Sequence, residues 1–168
     1  MELMRTLFEK SDSQTSLFAI LDAARSRDIW LRIDETEHFN LFPPKYAGLL
    51  EEASPYLVKL DEKSSFTKWL IESEFGNSSI LFLYSKESIE TLARFFTRYT
   101  LVKVEGEAAF FAFYDPRVFR RFMRNADKEE LEDFFGNVDT YACEKGPEEM
   151  VLVCYEYDGE LQTRECPV

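Results

Sequence analysis

The chain has 168 residues, 45% hydrophobic and 15% aromatic, which is enough for one sizeable core and too little for two, so a single domain is expected. A formal charge of -12 argues against nonspecific attraction to nucleic acid or to an anionic membrane, and neither is expected as a partner. No apolar run approaches a bilayer span, and the start Met1-Glu2-Leu3-Met4-Arg5 is not that of a secretory leader, so the expected location is cytoplasmic.

Leu17 to Leu21 is a short apolar run closed by Asp22 and reads as a buried strand. His38 to Pro44 reads as a loop showing the aromatic residues Phe39 and Phe42, followed by a short helix over Lys45 to Ala53. Tyr56 to Leu60, before Asp61, is a second strand; Ser64 to Glu74 is a helix ended by Gly76-Asn77; Ile80 to Tyr84 is a third strand. Ser85 is the predicted cap of a helix running to Arg98, in which Ile89, Leu92, Ala93 and Phe96 form a core-facing stripe.

Thr100 to Glu105 and Glu107 to Tyr114 read as a hairpin turning at Gly106. Its second strand is read as running buried into Asp115-Pro116-Arg117, where Asp115 suits an N-cap and Pro116 the first helical position, whose N–H has no partner in any case. Asp127 to Glu130 is a capping box for a helix that Gly136 stops. Val138 to Cys143, Met150 to Tyr157 and Glu160 to Arg164 close the chain as strands. The order predicts an α/β domain, a mixed sheet flanked by helices with a C-terminal meander or hairpin.

Charge is uneven. Residues 86–126 carry +3, while residues 1–85 and 127–168 carry -5 and -10. In the helix after Pro116, Arg117, Arg120, Arg121 and Arg124 share one face, opposite Val118, Phe119, Phe122 and Met123. Two readings stand: a stripe that grips a partner's carboxylates, or one neutralised by the chain's own Glu129, Glu130, Glu132 and Asp133. Asp22, Asp61 and Asp115 each follow an apolar run. Gathered at one sheet edge they would suit a divalent metal and a phosphoryl hydrolase, whereas as turn and cap residues they need no chemistry.

The single histidine, His38, cannot build a histidine-rich metal site, and no phosphate-cradling glycine loop or dinucleotide fingerprint is present, so no cofactor is expected. The three cysteines, Cys143, Cys154 and Cys166, form no Cys-x-x-Cys pair, and reduced thiols are expected. A Cys143–Cys154 bridge would require the turn Glu144 to Glu148 to bring the two face to face.

The junction Phe113-Tyr114-Asp115-Pro116-Arg117-Val118 resembles the signature of bacterial type VI secretion effector chaperones, or adaptors. Phe18 to Arg25, Ala53 to Leu60 and Glu132 to Val138 resemble further segments of that family in the same order, so that the likeness spans about residues 15–145, with 146–168 as terminal strands. The resemblance implies a cytoplasmic, non-enzymatic protein that binds a toxic effector and helps load it on the VgrG spike. Against the family pattern the chain has Phe95 in place of a frequent histidine and Ala112 in place of an arginine, and it ends before a further C-terminal lobe. In the signature, Tyr114, Asp115, Pro116 and Arg117 are read as structural; Arg117, Arg120, Arg121, Arg124, Phe39 and Phe42 are the candidate partner-binding residues. The other function considered, besides a hydrolase, is an acidic immunity or regulatory binding protein.

Overall fold

A computed structural model describes residues 2–11, 14–146 and 149–168. Seven strands form one antiparallel sheet: β1 (Ser16–Asp22), β2 (His38–Asn40), β3 (Pro55–Lys59), β4 (Ile80–Ser85), β7 (Thr140–Gly146), β8 (Glu149–Tyr157) and β9 (Leu161–Pro167). Their order is β2-β3-β1-β4-β7-β8-β9, so β7 to β9 make the expected C-terminal meander. A separate hairpin joins β5 (Leu101–Val104) to β6 (Glu107–Phe110).

The near-continuous apolar runs of β1 and β4 follow from burial of both faces, because successive residues of a strand point to opposite sides. Phe18, Ile20, Leu81, Leu83, Tyr141, Val153 and Tyr155 line one side. Over them lie α5 (Ile89–Thr100), α6 (Pro116–Asn125) and α7 (Lys128–Phe135), through Leu92, Phe96, Phe119, Met123, Leu131 and Phe134. Leu17, Ala19, Leu21, Phe82, Tyr84 and Ala142 face the other way, towards α1 (Glu2–Phe8), α2 (Arg27–Arg32) and α4 (Ser65–Glu74), which contribute Leu7, Ile29, Phe66 and Leu70. The result is helix, sheet, helix in three layers, the α/β class the sequence predicts.

Aromatic residues fill the first of these cores. Phe96 stacks on Phe113 at 5.6 Å between centroids, and Phe134 stacks on Tyr141 at 5.0 Å. Most of the sixteen phenylalanines are thereby structural, each worth about 2–3 kcal/mol of apolar burial.

Several boundaries differ from the expectation. Residues 38–40 are strand rather than loop, paired to β3 by His38↔Val58, Phe39↔Leu57 and Asn40↔Tyr56. The helix expected over 45–53 is only α3 (Pro44–Ala47), which stops at Gly48; a 3₁₀ turn follows at Glu51–Ala53. Ser85 does not cap α5. Its hydroxyl donates to Asn137 O, and Ser88 is the cap, accepting from Thr91 N at 3.2 Å. The strand before the Asp115 junction ends at Phe110 and is largely exposed; the buried aromatics Phe113 and Tyr114 lie in a turn beyond it. Helices α1 and α2 were not anticipated, each being too short for a clear period.

Cys143 and Cys154 belong to opposite cores and cannot meet, since the register pairs Cys143 with Val153 and Ala142 with Cys154. All three cysteines are free thiols, and burial pushes the Cys143 thiol up to about 12, which leaves it unreactive. Of the turn between β7 and β8, Pro147 and Glu148 lie outside the described residues. Among the described residues no helix is long and apolar enough to cross a membrane.

Candidate functional site

At one end of the sheet the C-terminus of β1, the N-terminus of β4 and the C-terminus of β7 lie side by side, as Leu21↔Ile80 and Phe82↔Ala142 require. Four carboxylates are buried around this end: Asp22, Glu74, Asp115 and Glu144. Asp22 follows β1 by sequence and accepts from Ala24 N at 3.0 Å, while its own N–H donates to Ser79 O at 2.9 Å. Glu74, at the end of α4, accepts from the hydroxyls of Ser26 at 2.9 Å and Ser79 at 3.3 Å. Glu144 accepts from Gly76 N at 2.6 Å and from the N–H and hydroxyl of Ser78 at 3.1 and 2.9 Å. Ser78 itself has φ +56°, a left-handed conformation that these two bonds help to hold.

Asp115 closes this end from above. Its carboxylate accepts from Arg117 N at 2.9 Å, the N-cap bond expected, and also from the Arg117 guanidinium through Nε at 3.0 Å. Burial pushes the Asp115 carboxyl up, yet the hydrogen bonds from Arg117 together outweigh it and hold the group below the usual carboxylate range. Among the described residues Asp22 has no such cation in contact. Burial drives it up to about 6, the Ala24 amide opposes this, and the nearby Asp115 charge adds to it.

The three aspartates therefore do not gather. Asp22 and Asp115 share one end of the sheet, but Asp61 lies past the far end of β3, where it caps its own turn through Lys63 N at 2.8 Å. β3 runs antiparallel to β1 with Pro55 opposite Asp22, so six residues of chain at about 3.3 Å each put Asp61 roughly 20 Å away. A metal clamp built on this trio is corrected by that topology. Among the described residues no three His, Cys, Asp or Glu side chains are placed to hold a metal ion.

Of this group, Asp115 and the main chain at Glu144 position α6. Asp115 starts the helix, and Arg120 reaches down to donate to Glu144 O at 2.6 Å, tying the helix to the end of β7. Arg121 and Arg124 are left exposed on the outer face, with no ion pair among the described residues, and none of the four arginines pairs with the acidic α7. Phe39 sits half-buried in the edge strand β2, whereas Phe42 is buried and stacked against Phe110 at 4.6 Å, which corrects the expectation that both face solvent.

Sequence reasoning does not find Glu74 or Glu144, because a single acidic residue at the end of an apolar segment looks like any solvated terminus. The only hint is the serine pair Ser78-Ser79 between helix and strand, which supplies the donors for both.

No curated protein and no solved structure matches the chain. A family model does match, over residues 17–133, from β1 into α7. The match ends short of β7, although β7 pairs directly with β4 inside the same sheet. Covering more than half of the chain, it includes Asp22, Asp115 and Arg117 but not Glu144, and it shows that this protein belongs to the family described as Domain of unknown function (DUF4123).

Proposed function

We propose that the protein is a type VI secretion effector adaptor, which binds a cognate effector in the bacterial cytoplasm and assists its loading onto a VgrG-type spike without carrying out chemistry itself. The observation that carries this reading is the use made of the signature. Asp115 and Arg117, the residues by which the chain resembles such adaptors, are spent on capping and anchoring α6, and what they present outward is an arginine face on which Arg121 and Arg124 have no ion pair among the described residues. A frame that holds a cationic helix rigidly at a surface is suited to recognising carboxylates on another protein.

The test is affinity capture from a native lysate in which the neighbouring genes are expressed. Recovery of a toxin-like effector or a spike protein, and its loss with Arg121→Glu/Arg124→Glu, is the expected result. Repeated recovery of neither from cells that express both would overturn the proposal.

A further inference from the structure

The two edges of the sheet are built differently. Edge strand β9 exposes Gln162, Thr163, Arg164 and Glu165 in succession, the polar dressing that discourages pairing with another chain. Edge strand β2, His38-Phe39-Asn40, instead keeps all three side chains half-buried. Leu41 N donates to Pro55 O at 2.9 Å, so by the alternation of an antiparallel ladder Phe39 is bonded to Leu57, and the N–H and C=O groups of His38 and Asn40 point away from β3 to the free side.

Beside that free side lies a groove of about 530 Å³, walled by Trp30, Leu31 and Asp34 from α2 and its following turn, by Ala47 at the end of α3, and by Gly48 and Glu51 after it. Apolar side chains are left to water here: Leu31 on the groove wall is 58% exposed, and Leu49 and Leu50, at 81% and 37%, line an adjoining hollow that shares Trp30, Gly48 and Glu51. On the other face of β2, Phe39, Phe42 and Pro44 with Ala93 and Thr97 of α5 line a second groove of about 480 Å³. A strand laid along β2 would therefore find a pocket for its side chains on both faces, which alternation demands.

The charge around the first groove selects the occupant. Asp34 and Glu51 line the groove, Glu52 lines the adjoining hollow, and Asp28, Glu35 and Glu37 are exposed on the neighbouring chain. Of the two cations in the same stretch, Arg32 is bound bidentately by Glu35 at 2.7 and 2.8 Å and Lys45 lies over the Tyr46 ring. We infer that β2 and its two grooves bind an extended segment of a partner protein as an eighth strand, with apolar side chains seated in the grooves and flanking lysine or arginine facing the acidic rim. With only three residues, β2 offers few main-chain bonds, so the seated side chains supply most of the affinity. This deepens the adaptor reading, on which it rests, by naming the class of segment that is held.

The probe is a random twelve-residue peptide display library selected against the full chain, followed by synthesis of the enriched peptides. The expected result is enrichment of apolar residues flanked by Lys or Arg, and amide shifts centred on residues 38–40. N-methylation at alternate peptide amides should weaken binding at least about tenfold, while methylation of the intervening ones should not, because only every second N–H of an added strand faces β2. His38→Pro, which removes an outward N–H and no ladder bond to β3, should weaken binding similarly.

Failure to enrich any peptide in repeated selections, enrichment of acidic peptides, or methylation effects without a period of two would each overturn the inference. The adaptor reading fails separately. If His38→Pro still captures effector or spike from lysate as well as the unaltered chain does, the groove is excluded and the adaptor stands. Peptide binding intact with neither protein ever captured removes the adaptor reading alone.

Discussion

Burying the Asp22 carboxyl at the end of β1, without a cation in contact, makes its charged form costly, and the raised value of about 6 expresses that cost. A folded-state value above the ordinary carboxyl value means the folded protein binds the proton more tightly than the unfolded chain. Stability from this group is thus fully present below the unfolded value and is lost as pH rises through about 6. Holding the carboxyl at about 6 costs the charged form roughly 3 kcal/mol at neutral pH. Asp22→Asn keeps an oxygen for the Ala24 amide and removes the charge, so it should stabilise the protein by about 1–3 kcal/mol near pH 8 and change little near pH 4. Urea midpoints at the two pH values check this, and an equal gain at both would show that charge burial is not the cause. The sequence placed Asp22 at a strand end without showing its burial, because that depends on α6 arriving from more than ninety residues away.

Among the elements, α6 is the one whose start the sequence specifies most fully, since Asp115 and Pro116 satisfy local rules that no packing overrides. Two effects meet at Asp115: the cap bond to Arg117 N and the ion pair with the Arg117 guanidinium. The guanidinium side chain is 51% exposed, so solvent screens the pair and the cap should dominate. Asp115→Ala should therefore cost about 1–2 kcal/mol, and Asp115→Asn, which still caps, less than about half of that. Chemical denaturation of the two variants decides; equal losses would assign the stability to the charge instead. The same logic explains where the structure departs from the sequence pattern. Ser85 and Ser88 are both plausible caps by residue type, and the choice falls to Ser88 because β4 extends through Ser85 to pair with Ser16. The Phe110 to Tyr114 run looks like one buried strand, yet its first member packs on Phe42 and Tyr46 at the surface and only the later ones reach the core. Periodicity reports that a residue is apolar and leaves open which of two apolar environments receives it. For the same reason Phe39 and Phe42, alike in sequence, divide between an edge strand and a buried stack.

Over the whole molecule, charge is distributed by element: the acidic rim beside β2 belongs to the layer and edge formed by the first half of the chain, and the cationic outer face of α6 belongs to the opposite layer. A molecule of net charge -12 that keeps one cationic helix face uncovered can orient an acidic partner towards that face while repelling it elsewhere. Because Arg121 and Arg124 are exposed and without ion pairs among the described residues, reversing both should leave the unfolding free energy within about 0.5 kcal/mol of the unaltered chain. Binding should respond differently. With effector or spike protein as ligand, raising sodium chloride from about 50 to about 300 mM should weaken the unaltered chain severalfold, since exposed charges attract over a Debye length that shrinks with salt. Arg121→Glu/Arg124→Glu should bind at least about tenfold more weakly at the lower salt and lose most of the salt response, with the change falling mainly on the association rate. Surface plasmon resonance at the two salt concentrations separates the cases. An unaltered affinity in the double variant would place the contact on another surface, and a salt response that survives the reversal would assign the attraction to charges outside α6.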